Sequence, residues 1–589
     1  MSTVILYSKN DALDYLSQRP LGDKILPLTP NASAEIKGKV DIPILDPLNY
    51  FSDYSHRKVL AKVRSVEKSL YQLLYSNKDL SEAAKETFRG MFNPLVCKIL
   101  YLWYSIRDVG PWTIKVGETW KNEESLYNAH NLLCSQINLM GKGLFNGSFN
   151  SKVKRQKPYL PIVTNFLNCV TFKIIKNNKL FFITGNTSGF KSIEKKLNEN
   201  DNNNLCFIQF RGGVDFKSII ISILSLFKYL INKSQSLIYL INPKPQAKTK
   251  SIIKTLLEDV TDPILLNVSE LILSSLNPAI LYTEGLSNGL KNVNNFKKHK
   301  NITLIAHELR LLENAVVGEF VKNNNFRSLL ISHGSHPTSE NITSDYAHRE
   351  NAQGLLISSL ATICIAQSPL AEKVAKNYMP NLQIKKNHPI LWGYNNLITK
   401  QHSNNKMRTI LHAGTTNKLN GRPWIYETSN EFVHGLKSLV SAVDELKNTQ
   451  LIIRVRPNLE WSVDSLERLL PDSSNYKIKT TGSFLDDLLS ADLMISFSST
   501  TIEEALYARK PVGLFGGTNR YYHLKGSTNP PSQKNRSAVY HLKQNNLSTM
   551  LDSILDFHKN SLLTDEELNG YIWDSNVSGY TEFLNYLNN

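Results

Sequence analysis

Residues 491–517 read ADLMISFSSTTIEEALYARKPVGLFGG. The apolar run 493–497 has the length of a buried strand. Four consecutive hydroxyl residues, Ser498, Ser499, Thr500 and Thr501, break it, and a helical pattern follows to 508. Thr500 with Glu503 three positions on matches a capping box, which starts the helix. Lys510-Pro511 closes the unit, and 512–515 supplies the next apolar strand. Strand, turn, helix and strand in so short a span is one repeat of a parallel sheet covered by helices.

The same alternation runs on both sides of this unit. Upstream lie a strand at 408–412, a helix at 430–446, a strand at 450–455 and a helix at 463–470. The polar, aperiodic stretch 397–406 (LITKQHSNNK) reads as a boundary. Before it, a first series of strands is expected at 180–184, 205–210, 236–241, 279–283, 303–306, 328–332 and 361–366. Ser368-Pro369 then gives an N-cap and a first-turn proline for a helix at 370–378. The N-terminal stretch reads as strands at 3–7, 24–28 and 42–45, followed by a helical insertion at about 55–170. The expected fold is α/β, with two Rossmann-like domains at 1–400 and 401–589. A chain of 589 residues exceeds what one core supports, roughly 250–300 residues.

Composition narrows the function. Lys plus Arg is 68 against 51 Asp plus Glu, a net charge of +17, but the basic residues are dispersed, with small clusters only at 152–157 and 297–300. No arginine-rich arm, zinc-finger spacing or RNA-binding aromatic signature is present, so no nucleic-acid partner is expected. The five cysteines, Cys97, Cys134, Cys169, Cys206 and Cys364, have neither metal nor redox spacing, which fits a reducing compartment. The first ten residues do not read as a signal peptide, and no run is long and apolar enough to span a membrane, so a cytoplasmic protein is expected. Residues 216–231 form an apolar helix with basic ends. It reads first as a core helix, and second as a peripheral contact with the inner face of the plasma membrane.

The loops after the strands carry the candidate chemistry. A helix start presents unpaired N–H groups and the positive end of the helix dipole, so hydroxyls beside it suit a phosphate. Strand C-termini open onto the crevice where parallel sheets bind ligands. The nucleotide-binding set is therefore Ser498, Ser499, Thr500, Thr501 and Glu504, with Gly414, Thr415 and Thr416 after the first strand, Arg454 and Arg456 after the second, and Gly482 and Ser483 before the next helix. An arginine can hold a diphosphate through two parallel hydrogen bonds.

In their order these pieces resemble the nucleotide-binding half of GT-B glycosyltransferases, over roughly residues 279–524. They are most similar to bacterial surface-carbohydrate enzymes of the capsule and O-antigen or lipopolysaccharide kind: transferases of 3-deoxy-octulosonic acid (Kdo) and, more distantly, sialyltransferases. The resemblance implies a nucleotide-sugar donor, with CMP-activated acidic sugars as the leading class, a glycan or lipid-linked glycan acceptor, and no separate cofactor or metal. Arg456-Pro457 stands where sialyltransferase-like enzymes carry His-Pro, which leaves UDP- and GDP-sugars open. Glu284-Gly285 resembles the acidic-residue-plus-glycine motif of those enzymes, which makes Glu284 the expected base or nucleophile. His333 and His336, in SHGSHP after the strand 328–332, are the expected stabilisers of leaving phosphate or donor carboxylate. Asp345, His348, Arg349 and Glu350 read as a solvated helix start. A sugar-nucleotide 2-epimerase, a polyol-phosphate polymerase and a non-catalytic assembly subunit share this outline and remain the competing readings.

Overall fold

The computed structural model describes residues 2–141, 160–175, 179–184, 190, 193, 205–212, 216–231, 236–244, 248–258, 260–291, 293–299, 302–337, 341–390, 407–414, 422, 424–455, 462–518, 520, 522–559, 562–573 and 579–588. Thr415, Thr416, Arg456 and the basic cluster 152–157 lie outside them.

Three sheets organise the chain. The first is small: β1 (Thr3–Leu6), β2 (Lys24–Pro27), β3 (Trp112–Val116) and β4 (Thr119–Glu123), in the order β2-β1-β3-β4. The second has seven parallel strands: β5 (Lys179–Thr184), β6 (Leu205–Gly212), β7 (Leu237–Ile241), β8 (Ile302–Ala306), β9 (Arg327–Ile331), β10 (Ile363–Ala366) and β11 (Gln383–Lys386). The third has six parallel strands: β12 (Arg408–His412), β13 (Thr449–Arg454), β14 (Tyr476–Lys479), β15 (Leu493–Ser496), β16 (Val512–Leu514) and β17 (Val539–His541).

The two large sheets share one winding. The second runs β11-β10-β9-β8-β5-β6-β7 and the third β14-β13-β12-β15-β16-β17. In each, the third, second and first strands are followed by the fourth, fifth and sixth, which is the doubly wound Rossmann order. The strand order reverses between β5 and β8 in one sheet and between β12 and β15 in the other, and ligands enter parallel sheets at such points. Both sheets bury near-continuous apolar strands, as Ile302–Ala306 in the second and Leu493–Ser496 in the third illustrate. Two Rossmann-ordered sheets in one chain are the GT-B architecture.

Several expectations are corrected. Residues 112–123 fall inside the predicted helical insertion, yet they form β3 and β4 and join β1. The insertion is therefore interrupted, and its helices Asp53–Ser76, Glu82–Ile106 and Leu126–Gly141 share one large core. Residues 42–45 form only a bridge, Ile44 to Ile25. The predicted strand 279–283 lies within the helix Ser269–Lys291, which buries Leu276, Ile280, Leu286 and Leu290 at helical spacing. A short apolar window such as AILYT fits either element by itself. Finally, the last helix, Gly579–Asn588, packs on the seven-stranded sheet and not on the third. Tyr580 and Phe583 enter the core beside Phe181 and Ile183. Glu582 accepts from the His388 N–H at 2.9 Å.

Candidate functional site

The loop after β9 is fixed from both sides. The Ser332 N–H donates to Ile365 O at 3.0 Å and the His333 N–H to Leu355 O at 3.1 Å. The Ser335 and Ser368 hydroxyls lie 2.8 Å apart, and Ser368 caps the helix Pro369–Tyr378 by accepting from the Ala371 N–H at 3.1 Å. In the third sheet, the Ser496 hydroxyl donates to Ala413 O at 2.9 Å and that of Thr501 to the same oxygen at 3.4 Å. These bonds close the reversal point between β12 and β15 beneath the hydroxyl run.

The two loops meet. Thr500 is helical in backbone and makes no side-chain cap, so the expected capping box does not form. Glu503 reaches across instead and accepts from the Ser335 N–H at 2.8 Å. Gly334 permits the approach, because a Cβ there would stand 2.9 Å from Thr500 Cγ2. Between the loops is a cleft of about 210 Å³, lined by His333, Gly334, Ser335, His336, Asn351, Leu355, Ile425, Tyr426, Ser498, Ser499, Thr500, Glu503 and His523. The structure thus brings together His333 and His336 from the first series with Ser498, Ser499 and Thr500 from the second.

Three polar atoms in this cleft have no hydrogen-bond partner among the described residues: His336 Nε2, Glu503 Oε2 and His523 Nδ1. His523 Nε2 stands 3.9 Å from Glu503 Oε1. Burial, and then the neighbouring His333, His523, Arg310 and His348, hold the His336 imidazole down to about 3. It is therefore neutral at pH 7, able to donate or accept but carrying no charge. His336 also has a φ of 57°, a left-handed backbone that non-glycine residues seldom take. His307 stands behind His333, with ring centroids 6.0 Å apart. Burial lowers its pKa as well.

The remaining expected residues have other duties. Glu284 is buried inside the helix Ser269–Lys291 and outside the cleft. It accepts from the Ser81 N–H at 3.0 Å, just ahead of the helix Glu82–Ile106, and from Asn288 Nδ2 at 3.3 Å. Arg454 stands at the end of β13, but its guanidinium donates to Thr481 O at 2.6 Å, to Asp487 at 2.7 Å and to Gly482 O. Gly482 turns the chain at φ 87°, and Ser483 caps the helix Phe484–Ser490. Gly414 follows β12, where a Cβ would meet the Phe432 ring at 2.5 Å. Glu504 is buried beside Glu503 and does not line the cleft. The segment read as a solvated helix start buries two of its residues, because Glu350 pairs with Arg89 at 2.8 Å and His348 is enclosed.

Sequence reasoning missed Glu503 as a cleft group, together with His523, Tyr426 and Asn351. Glu503 was visible only as a capping residue, and nothing local marks the others. Beneath the cleft, Glu427 is buried against the Gly516-Gly517 turn and accepts from the Gly517 N–H at 2.8 Å. Burial raises its carboxyl to about 8. Among the described residues no group of three or more His, Cys, Asp or Glu is arranged to hold a metal ion.

No family model and no curated protein matches the chain. Solved structures match at low identity. UDP-GlcNAc 2-epimerase from Neisseria meningitidis bound to UDP-GlcNAc is 11% identical with a TM-score of 0.37, covering 69% of this chain and 99% of that one. UDP-GlcNAc 2-epimerase from Methanocaldococcus jannaschii is 11% identical with a TM-score of 0.34, covering 69% and 99%. Sucrose-phosphate synthase from Thermosynechococcus elongatus is 12% identical with a TM-score of 0.37, covering 70% and 98%. At this distance the likeness assigns no activity.

Proposed function

We propose that the chain is a sugar-nucleotide enzyme, specifically a glycosyltransferase that moves a sugar, with CMP-activated acidic sugars such as Kdo as the leading donor class, to a glycan or lipid-linked glycan of the cell surface. One observation carries the reading. The hydroxyl run of one Rossmann-ordered sheet and the histidine loop of the other line a single cleft, with the Glu503 carboxylate between them. Hydroxyls and backbone N–H groups at a strand end suit a diphosphate or phosphate. The neutral His336 imidazole can supply a hydrogen bond to a leaving phosphate. Glu503, with one oxygen held by Ser335 and the other uncommitted, is placed to accept a hydroxyl proton, the role first assigned to Glu284. The reaction calls for no cofactor beyond the donor.

The test is a thermal-shift screen of the full chain against CMP, UDP, GDP and CDP, followed by product analysis with the sugar nucleotide of whichever base binds. A ligand specific to the folded state stabilises it by about 2.7 kcal/mol at a hundredfold excess over its Kd. A glycoside product supports transfer. An epimerised sugar nucleotide would replace it with a 2-epimerase, and no shift with any nucleotide would remove the sugar-nucleotide reading.

A further inference from the structure

The helix Phe216–Ile231 turns Ser222 and Ser225 inward beside Ile219, Leu226 and Tyr229. Ser222 Oγ donates to Ile238 O at 3.1 Å, and Ser225 Oγ accepts from the Ile238 N–H at 3.2 Å. On the neighbouring helix Leu160–Ile175, Asn168 donates to Leu240 O at 2.8 Å and accepts from the Leu240 N–H at 3.2 Å. Ile238 and Leu240 belong to β7, the edge strand of the seven-stranded sheet. Three polar side chains thus satisfy the unpaired backbone of that edge, as buried backbone requires. Ile219, Leu226 and Tyr229 of one helix and Leu167 and Ile175 of the other pack into the core beside these polar groups, while a second set of large apolar residues on each helix faces solvent. Phe216 is 70% exposed, Phe227 61%, Ile231 86%, Ile162 71% and Phe166 68%. The exposed Ile220 and Leu224 link Phe216 to Phe227 and Ile231 at steps of three and four residues, and Ile162 and Phe166 stand four apart, so each set lies on one face of its helix.

A contiguous apolar face of this kind marks an interaction site. Its frame decides the partner. Neither helix contains an Asp or Glu, and Lys173, Lys217 and Lys228 are exposed beside the apolar residues. Phe296 packs on Phe172 with ring centroids 4.7 Å apart, and the exposed Lys297 and Lys298 follow it. Two copies meeting face to face would bring lysine against lysine. An anionic lipid surface instead receives both the apolar residues and the charge.

We infer that this two-helix face docks the protein on an anionic phospholipid bilayer, with the phenylalanine and isoleucine side chains seated at the headgroup–acyl boundary and the lysines at the phosphates. The inference does not depend on the sugar-nucleotide reading.

Cys169 lies in the exposed stripe with Ile162, Phe166 and Lys173, and it is the one exposed cysteine of the five, so an environment-sensitive fluorophore can report from that face. The full chain is sedimented with vesicles of phosphatidylcholine alone, and with vesicles containing about a third phosphatidylglycerol, and labelled protein is read in parallel. The expected result is binding to the anionic vesicles with a blue-shifted label. Binding falls by about tenfold or more in the Phe227→Glu/Ile231→Glu double variant and in Lys217→Gln/Lys228→Gln. Circular dichroism melting shows whether the variants fold, and Phe227→Ser replaces the double variant if that one does not. The inference is overturned if the wild-type chain ignores anionic vesicles, or if it binds them with no dependence on Phe227 and Ile231. A concentration-dependent dimer that the double variant abolishes would also overturn it, in favour of a second copy of the chain.

Discussion

At the scale of single residues, two carboxylates differ in how they are held. Glu503 has an oxygen free in the cleft, whereas Glu284 is tied to the Ser81 N–H. The proposed chemistry predicts that Glu503→Gln, which still accepts from Ser335, lowers kcat by about a hundredfold or more with little change in melting temperature. Glu284→Ala is expected to do the reverse. It leaves a buried N–H unpaired, costs about 1–3 kcal/mol in chemical denaturation, and leaves turnover of the folded fraction intact. If Glu284→Ala abolishes turnover in folded protein, the assignment of the base to Glu503 is wrong. His336 makes a separate pH prediction. Its folded pKa of about 3 lies below the ordinary value of 6.5. As pH falls through 6.5 the unfolded chain gains a proton that the folded chain refuses until about 3, so stability is lost across that window. His348, lowered to about 3 by burial and by His523, acts with the same sign. Replacing His336 with Asn should flatten the slope of unfolding free energy between pH 6 and 4 by up to about 1.4 kcal/mol per pH unit.

At the scale of elements, the contact between the Gly334 loop and the helix start at Thr500 sets the width of the cleft. Gly334→Ala puts a methyl 2.9 Å from Thr500 Cγ2, and such overpacking costs about 1–3 kcal/mol. The expected readout is a nucleotide Kd weakened by about tenfold in titration calorimetry. An unchanged Kd would mean that the two loops part readily and that their contact does not shape the site. This contact also shows how far the sequence could be read. Both strand-end loops stood out, one for its hydroxyl run and one for its paired histidines, because ligand loops in parallel sheets follow strands whose apolar character is plain. Their meeting did not stand out, since Glu503 three residues after Thr500 satisfies a local rule that the folded chain sets aside for a bond to Ser335. The missed strands follow a similar logic in four of five cases. β4, β11, β14 and β17 lie at sheet edges, where one flank faces solvent or side chains, and short runs such as YKIK carry no buried-strand signature; β3 is interior and is masked by the helical pattern on both sides of it. The apolar helix Phe216–Ile231 was read first as core. Ile219, Leu226 and Tyr229 do reach the core, but its inward serines serve a sheet edge and Phe216, Phe227 and Ile231 stay outside, which periodicity does not reveal.

At the scale of the molecule, the third sheet is joined to the N-terminal helices by a buried ionic cluster. His56, from the helix Asp53–Ser76, lies 3.0 Å from Glu431 Oε1, and the same oxygen accepts from Arg520. Arg520 also donates to Tyr426 O at 2.9 Å, and Glu431 accepts from the Thr428 N–H at 2.8 Å while capping the helix Ser429–Asp444. Burial works to raise the Glu431 carboxyl, but Arg520 and His56 outweigh it and hold the group down to about 2. Its contribution is therefore complete above the ordinary carboxylate range and is lost as pH falls toward 2. A buried ion pair need not stabilise relative to apolar packing, but removing one partner strands the other charge and costs about 3–5 kcal/mol. Glu431→Gln strands Arg520 at the junction between the third sheet and the helices. The loss should fall on their coupling more than on either part, because both parts keep their own cores. Scanning calorimetry is expected to show one coupled transition for the wild-type chain and two separated transitions for Glu431→Gln. A single transition displaced as a whole would place the cost inside the third sheet's own core and would sink the view that this cluster couples the third sheet to the N-terminal helices.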